Sequence, residues 1–235
     1  YPDEGFEIDV NSLIEISRHQ DAIILVNPNS PTGVFSKGIK YIIEELNNPD
    51  VESNCDTIWV DETYIDYIED SISMESLVSV YPNLVICKSM SKCYALSGLR
   101  VAYLASQKSE YLKKYIPPWS VSLPAQLAAI HALKNPTYYI ENYRIIHSER
   151  KMMSNELSNI GFTVYSGVAN YILTLLPENT NFTSKSFIEA CRDKKLFVRD
   201  AQNMGITLTD KSVRFAIRSP KENKEMLKIV TQIIN

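Results

Sequence analysis

Apolar positions along this chain come in two recurrent arrangements. Short runs, AIILV at 22–26, TIWV at 57–60 and LVIC at 84–87, each end in a polar segment rich in turn formers, and VAYLAS follows at 101–106. Runs of that length and boundary predict strands buried in a sheet. Between them, Val10, Leu13, Ile14 and Ile16, then Ile39, Ile42, Ile43 and Leu46, recur at helical spacing and predict helices with one packed face. Ser36 is the expected cap of the second helix. Three strand-like runs that all end in polar segments point to the carboxyl edge of a parallel sheet, where such segments converge.

Beyond residue 106 the pattern changes. Residues 109–115 predict a surface helix, interrupted by Pro117 and Pro118. QLAAIHALKN and YYIENYRIIHSERKMMSNEL predict long helices that lead into a smaller domain, with a boundary near Tyr143. In that domain FTVY, YILTLL, LFVR and VRFAI alternate with helical stretches at 184–192 and 222–234. This order predicts a mixed sheet with helices packed against it.

A chain of 235 residues, 45% of them hydrophobic, buries a sizeable core as one large domain or two smaller ones. Its 24 basic and 28 acidic residues leave a formal charge of -4, which makes no general case for nucleic acid or a membrane surface as partner. No apolar segment reaches transmembrane length, and a cytoplasmic protein is the expectation. Cys55, Cys87, Cys93 and Cys191 lack CxxC spacing and read as reduced thiols. His131 and His147 belong to no close ligand cluster, so no metal site is expected.

The candidate chemistry lies where the strand-like runs stop. KSMSKCYALSGLR, 88–100, presents Lys92, an amine able to attack a carbonyl if its surroundings keep enough of it deprotonated. Ser89 and Ser91 offer hydroxyl donors to a phosphate, and Arg100 a guanidinium fork. Serines and lysines are also ordinary turn and surface residues, so this stretch gains its meaning from two others. NPNSPTG, 27–33, closes the first run, and DETY, 61–64, closes the second.

In that order the segments resemble the fold type I enzymes dependent on pyridoxal phosphate. More narrowly they resemble the class II aminotransferase branch that contains histidinol-phosphate aminotransferase and L-threonine-O-3-phosphate decarboxylase. The resemblance implies an α/β fold. Residues 1–142 become the remainder of a large cofactor domain with a mostly parallel sheet, and 143–235 a smaller α+β domain. Roughly the first third of a complete member is expected ahead of Tyr1, including an arm, a phosphate loop and a ring-stacking aromatic.

The resemblance also assigns roles. Lys92 carries the cofactor and shuttles the substrate proton, a role that Lys88 does not match. Asp61 pairs with the pyridine nitrogen, Tyr64 donates toward the 3'-oxygen, and Ser89, Ser91 and Arg100 hold the phosphate. Glu62 reads as a structural neighbour. Asn29 and Ser30 lie beside the ring. Members of the family carry Asn where Ser30 stands, which implies altered electronics, a water-mediated contact or a specialised subgroup. Asn170 reaches substrate or cofactor, or is a loop amide. Arg199 and Arg214, otherwise solvated cations, match arginines around a distal phosphate or carboxylate, with Arg218 in reserve.

The implied reaction is amino-group transfer between a small, possibly phosphorylated, amine or amino acid and a 2-oxo acid, in a homodimer. The alternatives are a phosphothreonine-like decarboxylase and a catalytically silent fragment or binding module.

Overall fold

Four strands, β1 (Ala22–Val26), β2 (Thr57–Asp61), β3 (Leu84–Ser89) and β4 (Ala102–Ser106), pair in the order β1-β2-β3-β4. The first two pairings are parallel and the third antiparallel. The computed structural model describes residues 5–69 and 73–235, and this sheet belongs to one of its two compact units, Glu7–Pro28 with Phe35–Tyr139. The mostly parallel sheet expected from the sequence is the one observed.

Alternation decides which face of the sheet is covered. Ile23 and Leu25 in β1 and Ile58 and Val60 in β2 are buried, while Ile24 is exposed. Against the buried face pack helices α1 (Val10–Ser17) and α2 (Ile39–Leu46), through Ile14, Ile39, Ile42, Ile43 and Leu46. Fully burying a side chain such as Ile42 or Ile43 contributes roughly 1.5–3 kcal/mol. Asp9 caps α1 by accepting from the Ser12 N–H at 3.1 Å.

Helix α2 is not capped as expected. Its first flanking residue is Gly38, and Ser36 instead accepts the Gly38 N–H on its hydroxyl at 3.2 Å. The cause is long-range: the Asn27 side chain accepts from Ser36 N at 2.8 Å and donates to Ser36 O at 3.0 Å, holding that residue outside the helix. The 109–115 segment forms α3 (Ser109–Leu112) and then a 3-10 turn, Lys113–Tyr115. Helix α4, Leu123–Leu133, follows, with Ser122 as its cap.

The second unit comprises Asn29–Val34 and Ile140–Asn235, with Gly5 and Phe6. Strands β5 (Thr163–Val164), β6 (Tyr171–Leu175), β7 (Arg199–Asp200) and β8 (Ser212–Ala216) pair in the order β5-β6-β8-β7. Every pairing is antiparallel, which corrects the mixed sheet expected. Apolar spacing carries no strand direction, and the link from β5 to β6 is too short for a parallel crossover. Helices α5 (Pro136–Asn159), α6 (Ser184–Asp193) and α7 (Pro220–Ile234) complete the layers. Phe162, Phe187 and Phe215 meet edge to face at 5.8–6.4 Å in the core between them.

LFVR does not form a strand along its length. Lys195 adopts φ 60° after α6, and Leu196 N donates to Cys191 O at 2.9 Å, so the start of the run is used in ending the helix. Only Arg199 and Asp200 reach the sheet.

Candidate active site

Strands β1, β2 and β3 are adjacent and parallel, so their carboxyl ends share one edge. The ladder continues past the strands: Asn27 N donates to Asp61 O at 2.9 Å, and Glu62 N to Cys87 O at 2.8 Å. Asp61 is half-buried at this edge. Its Oδ1 accepts from Thr63 N at 2.8 Å, and among the described residues no donor reaches Oδ2. Tyr64, three residues on, is buried and stacks against Tyr67 at 6.4 Å between ring centroids.

The end of β3 and the loop after it carry the other four sequence candidates of this unit. Ser89 and Ser91 hydroxyls lie 2.8 Å apart, and Ser91 N donates to Ser89 Oγ at 3.3 Å. Lys92 is exposed, and among the described residues its ammonium has no hydrogen-bond or ion-pair partner. Arg100 follows a 3-10 turn, Ser97–Leu99. It is exposed, with φ 54°, a left-handed conformation that costs a non-glycine residue roughly 1–2 kcal/mol, and its guanidinium donates to Ser97 O at 3.0 Å. Among the described residues no hydrogen bond joins it to the Ser89–Ser91 pair.

Lys88 is a different kind of lysine. It is buried, 3.4 Å from Glu62 and 3.3 Å from Glu75. Glu62, only 2% exposed, also accepts from Ser73 Oγ at 2.5 Å and Met74 N at 2.7 Å. With its charge matched and its donors engaged, Lys88 has an architectural role, and Glu62 is the structural neighbour that the sequence pattern suggests.

The remaining candidates lie in the second unit. Residues 29–34 form a tight loop: Gly33 N donates to Asn29 O at 2.8 Å, and the Asn29 amide to Thr32 Oγ1 at 3.0 Å. Gly33, at φ 76°, packs against Gly167, where a Cβ would stand 2.9 Å from Thr32 O. Only glycine fits there. The Arg214 guanidinium donates to Ser30 Oγ at 3.3 Å and lies 4.6 Å from the Tyr171 ring centroid. Tyr171 Oη in turn donates to Asn29 O at 2.8 Å. Arg199 and Arg214 are Cα partners across β7 and β8, on one face of the sheet. Asn170 is half-buried, and its carbonyl accepts from Ile217 N at 2.8 Å.

Tyr171 is the residue that sequence reasoning missed. Its place in a buried strand reads as core, and the only signal was its position directly after Asn170.

A parallel edge that ends in a carboxylate, a hydroxyl pair and an exposed lysine is the arrangement of a fold type I transferase. The chain belongs to the aminotransferase class I and II family, whose profile matches residues 1–230. It is 30% identical over 240 residues to the histidinol-phosphate aminotransferase of Clostridium botulinum (strain Kyoto / Type A2), covering 99% of this chain and 62% of that protein. The crystal structure of the histidinol-phosphate aminotransferase from Clostridium acetobutylicum is 29% identical, with a TM-score of 0.86 over 99% of this chain and 69% of that one. A decarboxylase from Sulfurospirillum multivorans shares the fold at 20% identity, with a TM-score of 0.87 over 100% of this chain and 68% of that one. The chain spans 57% to 62% of the length of the curated relatives it matches.

Proposed function

We propose that the complete protein is a pyridoxal-phosphate-dependent aminotransferase that acts on a small amine or amino acid bearing a distal anion, with a 2-oxo acid as co-substrate. The observation that carries this reading is the shared edge of β1, β2 and β3, which holds Asp61, Ser89, Ser91 and Lys92 in one unit.

The donor set fits the cofactor. Asp61 has an oxygen that no donor among the described residues reaches, open to a protonated ring nitrogen, and the Ser89 and Ser91 hydroxyls suit phosphate oxygens. Tyr64 supplies a phenol for the 3'-oxygen, and Lys92 an amine for covalent attachment. The left-handed Arg100 places a guanidinium in the same loop, where it would join the phosphate contacts. Bound there, pyridoxal phosphate supplies the electron sink that makes the substrate α-proton acidic. Lys92, once released, takes that proton and returns it.

Asn29 and Ser30 belong on the ring side of the site and Asn170 on the substrate side. Arg199 and Arg214 recognise the anion: two like charges directly opposite one another are unfavourable until an anion lies between them, and guanidinium forks suit phosphate oxygens. Residues 1–142 form the remainder of the cofactor domain, and 143–235 the smaller domain. A cytoplasmic location and a closed two-fold homodimer belong to the same reading. Among the described residues no helix is long and apolar enough to cross a membrane.

The test is product identity. The complete protein, supplied with pyridoxal phosphate, histidinol phosphate and a 2-oxo acid, is expected to yield the keto product and the matching amino acid. Release of carbon dioxide from phosphothreonine, without amino-group transfer, contradicts the proposal and supports a decarboxylase.

A further inference from the structure

Lys92 stands on a piece of chain that is fastened from beneath at consecutive residues. The Tyr67 phenol donates to the Lys92 carbonyl at 3.3 Å, and Cys93 Sγ donates to the Thr63 carbonyl at 3.3 Å. The Tyr94 hydroxyl and the Asp66 carboxyl face one another. Ser89 N donates to Thr63 Oγ1 at 3.4 Å, so both ends of the lysine loop are tied to the turn that follows Asp61. Tyr67 and Cys93 are 2% and 4% exposed, and water does not compete for these bonds.

We infer that Tyr67, backed by Cys93 and the Asp66–Tyr94 pair, is a positioning residue for Lys92: it fixes the lysine main chain relative to Asp61 and Tyr64. This rests on the cofactor reading above. The β2–β3 ladder sets the spacing of the two segments as far as Glu62 and Cys87, and beyond it the turn after Asp61 and the loop that bears Lys92 are joined by these side-chain bonds. The ties hold the loops together without touching the reacting atoms. Positioning of this kind matters because a misplacement of about 1 Å can cost about a hundredfold in rate.

Burial keeps the donors protonated. It pushes the Tyr67 phenol and the Cys93 thiol well above their usual ranges, so both remain donors at working pH. Tyr67 faces Cys93, Tyr64 and Asp66, and Asp66 also faces Lys88, Tyr94, Glu75, Cys93 and Tyr103. Tyr67→Phe removes one donor from the Lys92 carbonyl and leaves Ala95 N at 3.1 Å as its partner, with little change of volume.

The test uses the complete protein loaded with pyridoxal phosphate. In Tyr67→Phe, borohydride is expected still to trap the cofactor on Lys92, while the pH midpoint of the bound cofactor's absorbance moves by about half a unit or more. We expect kcat to fall about fivefold to tenfold, with KM changed less than about twofold. In the cofactor-free protein, acetylation of Lys92 by acetic anhydride, normalised to the exposed Lys40, should change by about threefold. Tyr94→Phe should move both readouts in the same sense, and it carries the test alone if Tyr67→Phe does not fold. An unmoved midpoint and labelling rate, with or without a lower melting temperature, overturns the positioning role and leaves the cofactor reading intact. Failure of the wild type to attach the cofactor at Lys92 overturns both.

Discussion

Arg199 and Arg214 face one another across β7 and β8, two guanidiniums at directly paired positions. Arg214 is further held by Ser30 and by the face of Tyr171, so one of the pair is set in place before any ligand arrives. Arg214→Gln is expected to lower kcat/KM for histidinol phosphate by about 10-fold to 150-fold, the range of a lost charge-assisted hydrogen bond, and to leave histidinol far less affected. Arg199→Gln should show the same dependence. Equal losses for the charged and neutral substrates contradict anion recognition.

Lys88 sits between Glu62 and Glu75 with its side chain 9% exposed. Lys88→Met leaves two carboxylates without their cation and should destabilise the protein by about 3–5 kcal/mol in urea unfolding. Adding Glu62→Gln should restore about half of that loss, since the amide removes a buried charge. No recovery in the double variant contradicts a charge-balance role.

Asp66 gives a pH dependence of definite sign. Burial, its largest influence, holds the carboxyl above its usual 3.8 despite Lys88 and the Tyr94 hydroxyl. The folded state therefore binds more protons than the unfolded one just above pH 3.8, and this contribution to stability falls as pH rises through the folded value. Asp66→Asn keeps an acceptor for Tyr94 and removes the titration. Compared with the wild type, the variant should gain stability between pH 4 and pH 7. A gap that stays constant between urea midpoints at those two pH values contradicts this.

Much of the lysine-bearing unit is legible in the sequence because its strands are short apolar runs with polar ends, and the polar ends carry the candidate site residues. Asp61, Ser89 and Lys92 stand where the hydrophobic pattern stops, and the family resemblance is what marks them as candidates. What escapes is whatever depends on distant partners. Ser36 looks like a cap until Asn27 is seen to hold it, and the tie from Tyr67 to Lys92 spans too much chain for any local pattern to signal it. LFVR has the composition of a strand, but its first residues are drawn into the end of α6. Tyr171 and Arg214 meet only because β6 pairs with β8, a register that periodicity alone leaves open.

Asp61→Asn removes the negative charge while leaving a side chain of the same shape to cap Thr63 N. The variant should still take up pyridoxal phosphate but lose roughly a hundredfold or more in single-turnover α-proton removal, because the ring nitrogen is no longer kept protonated. Near-wild-type single-turnover kinetics contradict the role given to Asp61.

The attachment point of the cofactor tests the whole account. The complete protein is incubated with pyridoxal phosphate, reduced with borohydride, digested and mapped by mass spectrometry. The cofactor mass is expected on the peptide that carries Lys92, at the end of the Ser89–Ser91 loop, and Lys92→Ala should abolish it. Attachment at Lys88 or at any other lysine, or no attachment under conditions in which the protein is folded, contradicts the assignment.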